Sequence, residues 1–162
     1  MMGVGKSTIG KRIAKKLKAK FIDVDELIVK REKSSIKDIF EENGESYFRK
    51  IEKKITLYEL KKANAVIALG GGSFLDKAVR KEVKNTSISF WLDLHLNLLL
   101  TRLNNSKKRP LLNQQNLSET VNKIYLERKN IYNDADYKII CDSMNASQVT
   151  DKIIKLYENS RN

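Results

Sequence analysis

Gly3-Val4-Gly5-Lys6-Ser7-Thr8 runs straight into a stretch of helical periodicity, and this junction decides the fold. Glycines let the backbone curl so that successive N–H groups point at phosphate oxygens, and the start of the following helix adds the positive end of its dipole. In such a loop Lys6 neutralises β- and γ-phosphates and the Ser7 hydroxyl ligates Mg2+. The complete signature is G-x-x-x-x-G-K-[ST], and Gly5-Lys6-Ser7 supplies its end. Its first glycine would fall one position before Met1, and the apolar strand that should lead into the loop is absent as well. A chance Gly-Lys-Ser in a Lys-rich chain is the bland alternative. Gly3 in register, a helix immediately after, and the acidic residues Asp23 and Asp25 at the end of the next strand weigh against it.

Working outward, Ile9, Ile13 and Leu17 recur at i, i+4 and i+8 over residues 8–18, with Lys11, Lys15 and Lys18 facing away, as in an amphipathic helix. Residues 19–23 then read as a short strand ending in Asp23 and Asp25, whose side chains should diverge. Helices are expected over 25–33, 35–42 and 44–62. The apolar run 65–69 is stopped by Gly70-Gly71-Gly72, as a buried parallel strand would be. A helix over 75–82, a strand over 87–92 and a helix over 95–103 follow. Residues 104–116 are polar, contain the only proline and read as a loop. A helix over 118–131, a strand over 137–141 and a helix over 146–158 complete the pattern. Strands alternating with helices specify an α/β fold with a parallel sheet. Without repeats or Gly/Ser linkers, residues 1–162 should form one domain.

Composition narrows the classes. The chain has 162 residues, 41% of them hydrophobic, enough for a core and too apolar for a disordered basic tail. The single Cys141 excludes an internal disulfide framework and a thiolate metal cluster. No apolar run approaches the roughly 18 residues of a membrane span, and no signal-peptide pattern opens the chain, so a cytoplasmic protein is expected. The net charge of +12 comes from 24 Lys and 8 Arg against 20 acidic residues. Lys suits solvated helix faces, whereas Arg makes the planar, bidentate contacts of anion recognition. A nucleic-acid surface would interleave Arg or aromatics with the Lys clusters, and these do not.

Several motifs agree in order and spacing with one family. Residues 2–8, Phe21-Ile22-Asp23-Val24-Asp25, Phe48-Arg49-Lys50-Ile51-Glu52, Gly70-Gly71-Gly72, Arg109-Pro110-Leu111-Leu112, and Arg128 before Tyr132 together resemble shikimate kinase, over essentially the whole chain. The resemblance implies a P-loop, nucleoside-monophosphate-kinase-like fold. Its five-stranded parallel sheet is flanked by helices, with substrate-binding helices about 25–62 and a mobile lid about 104–117. It implies Mg2+- and ATP-dependent phosphorylation of the 3-hydroxyl of shikimate, by a monomer without nucleic-acid or membrane partners. Lys6, Asp25 and Arg109 become the catalytic residues, with Arg109 swinging over the phosphates. Gly3, Val4, Gly5, Lys6, Ser7, Thr8, Arg102 and Arg109 take ATP, and Arg102 matches the position that stacks on adenine. Asp25, Arg49, Gly70, Gly71, Gly72 and Arg128 take shikimate, Ser7 and Asp23 the metal.

Each role fits its side chain. Forked guanidinium groups match a carboxylate, so Arg49 and Arg128 would grip that of shikimate. Glu52, three residues beyond Arg49 on one helix, would orient it. A glycine turn just past a strand's carboxyl end lies where open α/β sheets bind ligands, with Gly71 as the expected N–H donor. Phe40 and Phe48 line either the substrate pocket or plain core. The segment 142–146 falls on the adenine loop, with Ala146 where relatives often carry proline. A gluconate-type small-metabolite kinase remains an alternative, lacking the paired-arginine grip, as does a non-catalytic remnant. In this fold the first strand lies inside the sheet, and its removal costs many kcal/mol against a total stability of about 5–15. The expectation is therefore that the working protein is longer at its N-terminus.

Overall fold

The computed structural model describes residues 3–62, 64–104 and 116–160. Gly3 and Gly5 take positive φ values of 74° and 94°, and Gly5 opens α1 (Lys6–Leu17). Ile9, Gly10, Ile13 and Ala14 form its buried stripe, while Lys11, Arg12, Lys15 and Lys16 face water. After Lys18 turns the chain in a left-handed cap, β1 (Lys20–Asp23) leads into α2 (Val24–Glu32). The Asp23 carboxylate caps that helix by accepting from the Asp25 and Glu26 amides. Asp25 therefore lies in the first helical turn rather than on the expected strand end, because the Asp23 cap starts the helix one residue after β1.

Helix α3 (Ile36–Leu60) is broken at Gly44, whose φ of 79° and ψ of 170° separate two helical segments, close to the expected break at residue 43. Strand β2 (Ala65–Ala68) runs to the triple glycine, followed by a single 3-10 turn (Ser73–Leu75). The helix expected over 75–82 begins later, as α4 (Lys77–Thr86), because Asp76 is extended and its carboxylate accepts from the Ala78 and Val79 amides. Strand β3 (Phe90–Asp93), α5 (Leu96–Asn104), α6 (Leu117–Tyr132), β4 (Tyr137–Ile140) and α7 (Ala146–Asn159) follow. Asn145 and Gln148 close a reciprocal capping box on α7. The expected β3 start at residue 87 is delayed to residue 90, with the Ser89 amide and hydroxyl both donating to Asp136.

Among the described residues the four strands are parallel to their partners, as expected, and they form two separate pairs. β1 pairs with β2, with Asp23 opposite Ala68, and β3 pairs with β4, with Asp93 opposite Ile140. Between β2 and β3 lies a cavity of about 700 Å³ in place of a ladder. The main core gathers α1, α4, α5, α6 and α7 around these strands, with Val79, Leu99, Val121, Ile139 and Val149 fully enclosed. A smaller core of Val24, Ile28, Ile39, Phe48 and Ile55 fastens α2 to α3. It carries the acidic and basic side chains of α2 and α3 to the carboxyl ends of β1 and β2. None of the described helices is long and apolar enough to cross a membrane.

Candidate active site

At the start of α1 no side chain caps the helix and no acidic residue occupies its first turn, whereas Asp23, Ser35, Asp76 and Asn145 cap α2, α3, α4 and α7. The positive end of the α1 dipole there favours an anion. Lys6 stands at that point, on the wall of the same cavity as Gly70 and Gly71. The Ser7 hydroxyl donates to Asp23 Oδ2 at 2.5 Å, while Asp23 Oδ1 accepts from the Asp25 amide at 3.1 Å. Asp23 therefore caps α2 and holds Ser7 at once. This puts a hydroxyl and a carboxylate oxygen together beside the phosphate loop. Mg2+ takes such hard oxygen donors, one or two from protein with the rest from phosphate and water, so the pair fits that ion. Among the described residues no group of three or more His, Cys, Asp or Glu could form an all-protein metal cage.

A second constellation surrounds the glycine turn. Glu52 is only 2% exposed; its Oε1 accepts from Ser73 Oγ at 2.7 Å and its Oε2 from Arg49 Nη1 at 2.7 Å. Arg49 Nε and Nη2 donate to Glu45 Oε1 at 3.1 and 3.0 Å. Partial burial works to lower the Arg49 pKa, but the hydrogen bonds and charges of Glu52 and Glu45 outweigh it and raise the value. Its charge is thereby locked on. Glycine is needed here for close approach. A Cβ on Gly70 would collide with Glu52 Oε1 and come within 2.8 Å of Asp25 Oδ1, and one on Gly72 would run into the Arg49 guanidinium. Asp25, Glu52 and Arg49 thus all press against one turn.

From the other side, Arg128 Nη1 donates to the Gly71 carbonyl at 3.0 Å and the Tyr132 hydroxyl to the same oxygen at 2.5 Å. Tyr132 is buried, which raises its phenol pKa against the opposing pull of Arg128, so it stays a donor. The expected grip residues Arg49 and Arg128 accordingly flank a single glycine turn. Phe48 belongs to the smaller core, with the Phe40 ring tilted against it at 4.6 Å between centroids and the Arg49 guanidinium 5.2 Å from its ring. Arg102 is exposed in the last turn of α5, near enough to Cys141 for its charge to oppose the burial that raises that thiol. In the segment after β4, Asp142 accepts from the His95 amide at 2.7 Å. Arg109 and the expected lid lie outside the described residues, apart from Asn104, Asn116 and Leu117 at its ends.

Residues 2–158 match the family model for shikimate kinase. The chain belongs to the shikimate kinase family. Its relatives include the shikimate kinase of Sulfurihydrogenibium sp., 41% identical over 153 residues that span 94% of this chain and 91% of that protein. The shikimate kinase of Persephonella marina is 39% identical over 94% of this chain and 92% of its own length. Among solved structures, the shikimate kinase of Acinetobacter baumannii in complex with shikimate superposes with a TM-score of 0.91 at 30% identity, covering 98% of this chain and 89% of that one. The shikimate kinase of Aquifex aeolicus gives 0.87 at 35% identity, covering 99% and 94%. Membership makes the chain an ATP-dependent phosphotransferase of aromatic amino acid biosynthesis.

Two site residues were given no role by sequence reasoning. Ser73 follows the triple glycine directly, and that adjacency was its one signal. Tyr132 stands four residues after Arg128, a spacing that places both on one helix face. What neither pattern displays is the shared target, the Gly71 carbonyl.

Proposed function

We propose that this site transfers the γ-phosphate of ATP to the 3-hydroxyl of shikimate. The observation that carries the reading is the glycine turn 70–72, pressed between Asp25, Glu52 and Arg49 on one side and held by Arg128 on the other. Two guanidinium groups and a carboxylate converging on one turn suit a hydroxylated carboxylic acid: Arg49 and Arg128 take the carboxylate, and Asp25 accepts a hydrogen bond from a ring hydroxyl. A neutral sugar would offer the two guanidinium groups no carboxylate. The uncapped start of α1, with Lys6, suits the phosphates of ATP.

Phosphoryl transfer depends mainly on positioning and charge stabilisation. Asp25 aims the attacking hydroxyl and is placed to take its proton as the bond to phosphorus forms and ADP departs. Lys6 and the α1 amides stabilise charge on the transferring group. Ser7 and Asp23 would hold Mg2+, which supplies charge neutralisation on the phosphates when bound. By resemblance Arg109 completes the site from the lid and excludes water. Arg49 needs Glu52 in place: left to solvent, a long side chain gives up conformational entropy on every binding event, whereas here it is already held.

ADP release measured with ATP, Mg2+ and a panel of shikimate, gluconate and other small polyols tests the reading. Turnover with shikimate and none with gluconate is expected. Turnover with gluconate in preference to shikimate would overturn it.

A further inference from the structure

Two carboxylates hold the Arg49 guanidinium, and they do so on unequal terms. Glu52 accepts from Nη1 at 2.7 Å, is buried, and has its other oxygen occupied by Ser73 Oγ. Glu45 accepts from Nε and Nη2 at 3.1 and 3.0 Å, through one oxygen, and its side chain is 65% exposed. Breaking a buried charge pair is costly, because each partner is left uncompensated, whereas an exposed i, i+4 pair contributes little. Arg49 is therefore fixed by Glu52 and only loosely engaged by Glu45.

The loosely engaged side is the one open to a ligand. Nε and Nη2 are neighbouring N–H groups of the planar fork, a pair suited to an incoming carboxylate. An internal carboxylate already occupies them. The local chain lets that carboxylate leave. Gly44, with φ 79° and ψ 170°, breaks α3 immediately before Glu45, and a Cβ on Gly44 would meet nothing within 4 Å. Glu45 thus stands at an open break, in the first turn of the helical segment that runs on to Leu60. Withdrawn from Arg49, its charge still lies near the positive end of that segment's dipole and in water. Among the described residues its carboxylate has no second partner to give up.

We propose that Glu45 sets the affinity of the site for its acid: in the empty site its carboxylate stands on Arg49 where the substrate carboxylate will stand, and binding displaces it. Glu52 stays, so the guanidinium keeps its position through the exchange and always has an anion beside it. The contact between Arg49 and the substrate then contributes only the difference between two similar pairs. Glu45 weakens capture of the acid and, by the same amount, eases release of the phosphorylated product, which keeps its carboxylate. The inference rests on the reading that Arg49 binds the shikimate carboxylate.

The test measures KM for shikimate, KM for ATP and inhibition by the phosphorylated product on the parent, Glu45→Gln, Glu45→Ala and Arg49→Ala, with calorimetric titration of shikimate beside the kinetics. Glu45→Gln keeps the length of the side chain and removes its charge. It should lower the shikimate KM and Kd about two- to fivefold, as expected for loss of one exposed competing ion pair, and lower the product inhibition constant to match. The KM for ATP should not move. Glu45→Ala should shift the shikimate values in the same direction. A gain in affinity is not what damage to the helix would produce, so the sign separates displacement from a structural role. Arg49→Ala should raise the shikimate KM about tenfold or more. If it does, and both Glu45 variants leave the shikimate KM unchanged or raise it, Glu45 supports Arg49 instead and the proposal is overturned. If Arg49→Ala leaves the shikimate KM where it was, the reading of the acid subsite fails, and this inference with it.

Discussion

Gly72→Ala isolates the link between the glycine turn and the arginine grip. Gly72 has φ −97° and ψ −21°, a conformation open to alanine, so the backbone itself resists nothing. Restricting the unfolded chain would even stabilise by about 0.4–1 kcal/mol. The added Cβ, however, meets the Arg49 guanidinium, coming within 2.9 Å of Nη2 and closer still to Nη1 and Cζ. The far end of a flexible side chain yields sooner than a helix, so Arg49 swings away. Glu52, 2% exposed, then loses its charged donor and keeps only Ser73. A buried acceptor deprived of its partner costs about 1–3 kcal/mol. The variant should fold, less stable by about 1–2 kcal/mol net. The loss of one charge-assisted contact to the shikimate carboxylate, about 1.5–3 kcal/mol, raises the KM for shikimate about 10- to 100-fold. The KM for ATP should stay within about twofold of the parent's, since the phosphate loop is untouched. A double-mutant cycle sharpens the result: with Arg49→Ala already present, adding Gly72→Ala should change the shikimate KM little, because the clash has no target. An equal penalty in both backgrounds, or a matching rise in the KM for ATP, would refute the reasoning.

Three further outcomes follow from the same geometry. Lys6→Ala should lower kcat at least 100-fold (about 2.7 kcal/mol in the barrier) with the fold intact by circular dichroism, because the proposed mechanism sets its charge against the transferring phosphate. Tyr132→Phe removes one of two donors to the Gly71 carbonyl while Arg128 remains. It should cost about 1 kcal/mol in urea unfolding and raise the shikimate KM a few-fold without moving that for ATP. Burial pushes the Cys141 thiol up from 9.0 to about 11. The unfolded chain ionises this thiol first, so stability fully present below pH 9 is lost as pH rises through 11, by up to about 2–3 kcal/mol. Cys141→Ala lacks that component, and its urea midpoint should fall less than the parent's between pH 8 and pH 11.

The parts of the fold legible from sequence were those governed by local rules. The phosphate loop required glycine at positive φ just ahead of a helix, and Gly3 and Gly5 occupy that conformation. Arg49 and Glu52 share a helix face at i, i+3, which is why their ion pair was expected and is found at 2.7 Å. Asp25 was misplaced by a local competition: the Asp23 carboxylate, caught by two amides, starts α2 sooner than residue alternation suggests. Ser73–Glu52 and Tyr132–Gly71 span 21 and 61 positions, distances at which only tertiary packing decides who meets whom. Strand partnership was hidden for a related reason. Four short apolar runs declare that they are buried, but not which edge each offers to which neighbour. The particular partners, β1 with β2 and β3 with β4, became visible only in three dimensions.

The most direct measurement is a crystal structure of the protein with shikimate and a non-hydrolysable ATP analogue bound together. The account predicts phosphates against Lys6 and the first amides of α1, the shikimate carboxylate between Arg49 and Arg128, and its 3-hydroxyl within hydrogen-bond reach of Asp25 and in line with the γ-phosphate. Arginines turned away to solvent, or an acid bound apart from the 70–72 turn, would contradict it.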